Sequence, residues 1–229
     1  MTLLHPIVFL IDVDNTLVDN DAIQQDLKDH LESTYGLAAR ERYWRILEDL
    51  MVELGYRDYI GALQKFRVEH PREIDLLSMS SFLMDYPFAE RLYPHALAVL
   101  KRLRSVSTTV ILTDGAVVFQ PRKVEHAGLG NVADGDVLVY IHKEEALDDV
   151  ERRFPAKHYV LVDDKLRILD AAKKIWRERV TTVLPRQGQY PRDAKVLAAL
   201  PPPDVTIERI GDLLDYDLAR LGTAALHSA

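Results

Sequence analysis

Four short groups of polar side chains, far apart in the chain, carry the residue types that phosphate and metal chemistry needs. They are Asp12, Asp14 and Thr16 in IVFLIDVDNTLVDN, Thr113 and Asp114 in TTVILTDG, Lys143 in VLVYIHK, and Asp163 and Asp164 in YVLVDDK. Each group follows directly on an apolar run rich in β-branched residues. A strand buried on both faces can carry ionised groups only where it emerges into water or meets a cation. If the four groups converge, their carboxylates repel, since two charges ~5 Å apart at an effective dielectric of ~20 cost about 3 kcal/mol. Asp12, Asp14, Asp163 and Asp164 then need a compensating cation. The donor set is all oxygen, with no cysteine and no paired histidines. It suits a hard ion such as Mg²⁺, which takes one or two carboxylates and leaves positions for water and a phosphate oxygen. Lys143 adds a positive point charge and Thr113 a hydroxyl donor, so a dianionic phosphate fits between metal and ammonium.

Convergence depends on the elements that carry these groups. The runs at 7–11, 108–113, 137–141, 159–162 and 180–184 are nearly continuous in apolar residues and read as parallel strands buried on both faces. Between them lie helical stretches. PHALAVLKRLR starts with a proline suited to a first helical position and places Leu97, Leu100 and Leu103 on one face. Others are expected at 120–127, 144–153 and 165–176. Alternating strand and helix predicts a doubly wound α/β sheet. In such a sheet, ligands bind beyond the carboxyl ends of the strands, where the strand order reverses. All four polar groups fall at such ends.

Residues 18–88 break the alternation. No strand-like run appears there, and four helical stretches do: DAIQQDLKDHL, ERYWRILEDLMVEL, RDYIGALQKF and EIDLLSMSSFLM. In the second, Trp44, Leu47, Met51 and Leu54 recur at spacings of three and four, with Tyr43, Ile46 and Leu50 beside them, a packing stripe. Either these helices thicken one sheet face or they form a small second lobe joined by crossings near Val18 and Phe88. The lobe is the expected arrangement, and beside a site it would exclude water. The domain reading is therefore 1–17 with 89–229 as the α/β core and 18–88 as a helical insertion. PPP at 201–203 reads as a stiff link to a last strand and helix.

Composition narrows the function classes. With 229 residues and 48% hydrophobic side chains the chain can bury a substantial core. A net charge of -7 gives no basic field for nucleic acid or anionic lipid. No signal peptide and no membrane-spanning run is expected, which makes a cytoplasmic protein the expectation. The sequence is silent on oligomeric state. DVDNT is not a calcium loop: counted from Asp12, the sixth and twelfth positions are Leu17 and Ile23 where such a loop needs Gly and Glu. GLGNVA at 128–133 mimics a dinucleotide fingerprint but follows a helix, so a helix cap and turn are expected. Arg122, Lys123, His142 and Arg186 flank the strand ends and read as solvated or structural positions.

DVDNTL resembles the first motif of the haloacid dehalogenase-like (HAD) superfamily. Thr113-Asp114, Lys143 and Asp163-Asp164 are similar to its other three motifs, in the family's order and over most of the chain. The resemblance implies a Rossmann-like sheet with a helical cap of the C1 type. It implies Asp12 as the nucleophile that forms an aspartyl phosphate and Asp14 as general acid and base. Thr16 would steady the loop. Thr113, Asp114 and Lys143 would face the phosphoryl group, and Mg²⁺ would sit on Asp12, Asp14 (through its carbonyl) and Asp164, with Asp163 nearby. The sequence departs from the family's commonest wording in TDG, in Glu144 after Lys143 and in Ile168 four residues beyond Asp164, without losing a catalytic group. The implied activity is Mg²⁺-dependent hydrolysis of a small phosphorylated metabolite. A phosphomutase shares the same motifs. Carbon–halogen hydrolysis needs neither a proton donor at Asp14 nor a metal acid at Asp164. A non-catalytic phosphate-sensing module of the receiver type would place the acidic pair on the first strand, ahead of Thr and Lys, the reverse of the order here.

Overall fold

The structure is a computed structural model describing residues 4–69, 71 and 75–222. Strands β1 (His5–Ile11), β2 (Thr108–Asp114), β3 (Val137–Tyr140), β4 (Ala156–Val162), β5 (Val180–Pro185) and β6 (Val205–Ile207) form one sheet in the order β3-β2-β1-β4-β5-β6. All neighbours are parallel. The five apolar runs are five of these strands, and the short β6 follows the proline link. The order reverses between β1 and β4, where Ile11 stands opposite Val162. The residues that follow, Asp12 and Asp163, therefore leave the sheet side by side.

Both faces are covered, because successive side chains of a strand point to opposite sides. Phe9 and Ile11 of β1 join one core and Val8 and Leu10 the other. On the first face lie α5 (Ala96–Val106), through Val99, Leu100 and Leu103, and α6 (Phe119–His126), through Phe119 and Val124. On the second lie α8 (Leu147–Arg153) and α9 (Leu166–Trp176), the latter stacking Trp176 on Tyr159 of β4 with centroids 4.2 Å apart. The short α7 (Leu129–Val132), led by Gly128 at φ 72°, is the cap and turn expected of GLGNVA.

Between β1 and β2 stand α1 (Asn20–Tyr35), α2 (Leu37–Leu54), α3 (Tyr59–Glu69) and α4 (Leu76–Met84). Residues 73 and 74, where the fourth stretch was expected to start, lie outside the described residues. Leu27, Leu31, Tyr43, Leu47 and Phe66 of these helices share one apolar cluster with Phe9 and Ile11, so the insertion's core runs on into that of the sheet. The two crossing segments pair through their backbones: Tyr93 donates to the Leu17 carbonyl at 2.9 Å and Asp19 to that of Arg91 at 2.7 Å. The return crossing thus pairs at 91–93, a few residues past the expected point. The described residues end with α10 (Ala194–Ala199), β6, a 3-10 turn at Ile210–Leu214 and α11 (Leu218–Leu221).

Three expectations are corrected. Pro94 is not the first residue of α5; the helix begins at Ala96, after His95 turns the chain with φ 69°. The stretch 144–153 is not one helix. Lys143 is held at both its backbone and its ammonium, and the residues after it close a 3-10 turn at Lys143–Glu145 before α8 starts. The buried face of α2 is Tyr43, Ile46, Leu47 and Leu50, rotated from the stripe through Trp44 and Met51. Trp44 lies instead under the Lys28 ammonium, 4.2 Å from the ring centroid, and Met51 lines a cavity.

Candidate active site

Backbone hydrogen bonds fix the strand ends first. Asp12 donates to the Val162 carbonyl at 3.0 Å and Asp163 to that of Val183 at 3.1 Å, so each residue is still in the ladder while its side chain leaves the core. The chain then turns at Asn15, whose φ of 58° is tolerated because its side chain accepts from the backbone of Asn20 at 3.1 Å and Asp21 at 3.2 Å. This turn swings Asp14 away from the line of the strand. From the far side Gln187 donates to the Thr16 carbonyl at 2.9 Å, and Gly188, at φ 70°, leaves the space a Cβ would take 2.6 Å from Asn15.

One oxygen from each of Asp12, Asp163 and Asp164 lies within 4.8 Å of the others, and all three residues are buried. Lys143, fully buried, reaches Asp12 Oδ1 at 2.5 Å, Asp163 Oδ2 at 2.6 Å and the Leu112 carbonyl at 3.1 Å. Asp163 Oδ1 accepts from the Lys165 backbone at 2.8 Å. Asp12 Oδ2 and both oxygens of Asp164 have no hydrogen-bond partner among the described residues. Burial pushes Asp12 up to about 6, with Lys143 opposing the rise and Asp163 adding to it. Burial, Asp12 and Asp163 hold Asp164 well above the ordinary carboxylate range. For Lys143 burial disfavours the charge, but Asp12, Asp163 and Asp114 outweigh it and raise the pKa. Unpaired oxygens of buried acids are uncommon in folded proteins and mark a place that a cation satisfies. The residues present therefore fit a divalent ion.

Asp14 stands apart from this triplet. Its carboxylate, about a quarter exposed, takes the Lys123 ammonium at 2.6 Å, and Lys123, 1% exposed, also donates to Asn20 Oδ1 at 3.0 Å. The Asp14 side chain is thus held by an ion pair to α6, apart from the three acids; the metal ligand expected from this residue was its carbonyl, not this carboxylate. Thr113 is buried; Gln120 donates to its hydroxyl oxygen at 2.8 Å, and the hydroxyl itself donates to the Asp114 carbonyl at 3.5 Å, a long contact that a ligand oxygen could replace. Asp114 Oδ1 accepts from the Lys143 backbone at 2.8 Å, so its carboxylate fixes the lysine loop while lining the cavity, and burial raises its pKa. Thr16 is buried with its hydroxyl unpartnered among the described residues; its backbone steadies the loop.

The reading from sequence takes Lys123 as a solvated or structural position and does not single out Gln120 or Lys165. The signal for the first two was the buried face Phe119, Gln120, Lys123 and Val124 of α6, a helical spacing directly after Thr113-Asp114. Lys165 follows Asp164 directly, and its ammonium lies 5.9 Å from the Tyr190 ring centroid. His142 and Arg122 serve the junction of the two lobes. A Cβ on Gly55, in the loop between α2 and α3, would come 2.3 Å from His142 Cε1, and Arg122 donates to the Met84 carbonyl at 3.0 Å. Arg186 pairs with Glu208 at the surface, at 3.5 Å.

Beside the triplet opens a cavity of about 360 Å³, bounded on the core side by Asp14, Asp114, Lys123 and Asp164 and on the insertion side by Met51, Arg57 and Tyr59. A buried carboxylate, an ammonium fixed against it, a triplet of acids that fits a cation and a helical insertion lining the cavity thus meet at the switch point of a parallel sheet. The chain belongs to the haloacid dehalogenase-like hydrolases, whose family model matches residues 8–175. It is similar to the structure of a haloacid dehalogenase-like hydrolase from Burkholderia xenovorans LB400, at 56% identity over 94% of this chain and 98% of that one, with a TM-score of 0.89. More distant likenesses show the fold alone. The HAD-hydrolase YfnB from Bacillus subtilis, bound to magnesium, has 16% identity and a TM-score of 0.61, covering 93% of this chain and 98% of that one. The L-2-haloacid dehalogenase from Xanthobacter autotrophicus has 19% identity and a TM-score of 0.57, covering 99% and 100%. Comparison with curated proteins gave no match. Among the described residues no helix is long and apolar enough to cross a membrane.

Proposed function

We propose that the protein is a Mg²⁺-dependent phosphohydrolase acting on a small phosphomonoester, with residues 18–88 as a C1-type cap over the leaving group. The observation that carries this reading is the buried triplet Asp12, Asp163 and Asp164 with three oxygens unpaired among the described residues. A carbon–halogen hydrolase working from Asp12 alone has no use for Asp164 there, nor for a proton donor at Asp14.

Asp12, Asp163 and Asp164 would hold the Mg²⁺. When bound, the ion draws charge from the phosphoryl oxygens and keeps the ester aligned with the nucleophile. A carboxylate oxygen of Asp12 attacks phosphorus, forming an aspartyl phosphate and breaking the bond to the ester oxygen. Lys143 holds the attacking carboxylate and offsets the charge of the phosphoryl group, and Thr113 donates to one of its oxygens. Asp14, at the cavity wall, gives its proton to the departing alkoxide. It then takes a proton from the water that attacks the aspartyl phosphate, and free Asp12 and inorganic phosphate result. Lys123 orients Asp14 through both steps. The chain would act in solution on a phosphorylated metabolite, with cytoplasmic placement as part of the same reading.

The test is hydrolysis of p-nitrophenyl phosphate by purified protein. Activity is expected with Mg²⁺, lost in EDTA, and lost by more than a thousandfold in Asp12→Asn. Release of halide from 2-haloacids without metal, or full activity in Asp12→Asn, would overturn the reading.

A further inference from the structure

The insertion side of the cavity carries two polar groups that the proposed phosphoryl chemistry does not use, a partly exposed arginine and a buried tyrosine. Arg57 lies in the loop between α2 and α3. One of its terminal nitrogens donates to Glu48, itself about half exposed, at 3.0 Å, and the guanidinium also engages Tyr190. Its Nε is enclosed and has no partner among the described residues. Tyr59, only 4% exposed, is fixed at both ends of the residue: Tyr43 donates to its carbonyl at 2.7 Å, and its ring lies against Phe119 of the core with centroids 4.8 Å apart. The Tyr59 hydroxyl is buried with no hydrogen-bond partner among the described residues and lies in the electrostatic field of Arg57, Asp14 and Tyr190. A rigid phenol and a guanidinium with donors to spare therefore stand across the cavity from Asp14, the group that would protonate the leaving oxygen.

Buried donors left unpaired are costly, and a site that keeps them does so for a ligand that completes them. Arg presents several N–H groups in a plane that matches an oxyanion, and a phenol O–H adds a third donor. An alkyl tail would leave these donors unpaired as water is excluded, whereas a carboxylate or a second phosphate offers several acceptor lone pairs and a charge that complements the guanidinium. We infer that the cavity selects phosphomonoesters whose leaving alcohol carries an oxyanion, held by Arg57 and Tyr59 across from Asp14. The inference rests on the phosphohydrolase reading and names the substrate class within it. A cavity of about 360 Å³ is of the size that holds a small-molecule ester with its charged tail.

The experiment compares kcat/KM for three matched series of alkyl phosphates of two to four carbons, ending in methyl, carboxylate or a second phosphate, with p-nitrophenyl phosphate alongside. The wild type is expected to prefer one oxyanion-ended series over the methyl-ended one by at least tenfold, and which series wins distinguishes carboxylate from phosphate. In Arg57→Gln the ratio should fall towards one, Arg57→Lys should keep part of it, and Tyr59→Phe, which removes a single oxygen and keeps the contact with Phe119, should lower it several-fold. A wild-type ratio near one, with Mg²⁺-dependent hydrolysis of the aryl ester intact, overturns the inference and leaves the phosphohydrolase reading standing. So does an undiminished ratio in Arg57→Gln. Failure of the wild type to hydrolyse any ester removes the reading beneath, and the inference with it.

Discussion

Replacing Lys123 by Met tests whether Asp14 acts as a positioned acid or merely as a polar wall of the cavity. The side chain keeps its length and loses the ammonium that sits 2.6 Å from Asp14 Oδ1 and 3.0 Å from Asn20 Oδ1. Breaking a fully buried ion pair costs about 3–5 kcal/mol. Asp14 is 24% exposed, so water takes over part of the interaction, and Met also removes an ammonium whose burial was itself unfavourable. The net change in folding stability is therefore expected within about 1 kcal/mol, readable as a small shift of the urea midpoint. Activity should respond more strongly. A general acid contributes roughly 10²–10⁴-fold, and an acid free to rotate loses a share of that. A tenfold to hundredfold fall in kcat corresponds to about 1.4–2.7 kcal/mol of barrier. The loss must depend on the leaving group: an alkanol needs the proton as it departs, whereas p-nitrophenolate is stable without it. Steady-state kcat for an alkyl phosphate should fall at least five times further than for p-nitrophenyl phosphate, and Asp14→Asn should show the same bias. Equal losses on both esters would refute the reasoning, because a structural defect does not distinguish leaving groups.

Two further outcomes follow from the same geometry. Gly55→Ala should cost about 1 kcal/mol for its left-handed backbone, at φ 81°, and push His142 aside, lowering kcat/KM as the cap loop seats less closely. Adding His142→Ala should restore kcat/KM but not the midpoint, and failure of that rescue would count against the contact as the cause. In EDTA-treated protein Asp12 titrates near 6 where the unfolded chain titrates near 3.8, so the folded state binds the extra proton and this group's contribution to stability falls as pH rises between those values. Mg²⁺ competes with that proton, so the gain in urea midpoint on adding Mg²⁺ should grow from pH 5 to pH 7; a gain independent of pH would refute the assignment of Asp12 to the cation.

The sheet was legible in the sequence because its inner strands, β1, β2, β4 and β5, are largely buried on both faces and read as nearly unbroken apolar runs, whereas the edge strands β3 and β6 are only partly buried. The catalytic groups were legible for the same reason: a carboxylate directly after VFLI or YVLV has no packing role, so its type and place already suggest chemistry. Helical details were less so. Pro94 fits a first helical position by its fixed φ, yet His95 takes the left-handed turn that aims α5 at the sheet, and nothing local distinguishes the two. The face of α2 was displaced by one residue because Trp44 is as apolar as Leu47, and only the neighbouring Lys28 decides that Trp44 can lie at the surface.

The residues missed share a cause. Lys123 is 1% exposed, but a lysine in a helix reads as solvated, and its burial follows from two partners, Asp14 and Asn20, more than a hundred positions earlier in the chain. Arg57 lies in the loop between α2 and α3 and Tyr59 at the start of α3, in helices whose amphipathic pattern says only that they pack; that the loop faces the β1 strand end depends on the pairing of residues 17–19 with 91–93 and on the fit of His142 against Gly55. Chemistry written at strand ends is fixed by the sheet and visible in one dimension. The inferred selectivity rests on groups brought together where the insertion meets the sheet, and their meaning appears only once the opposite wall of the cavity is in place.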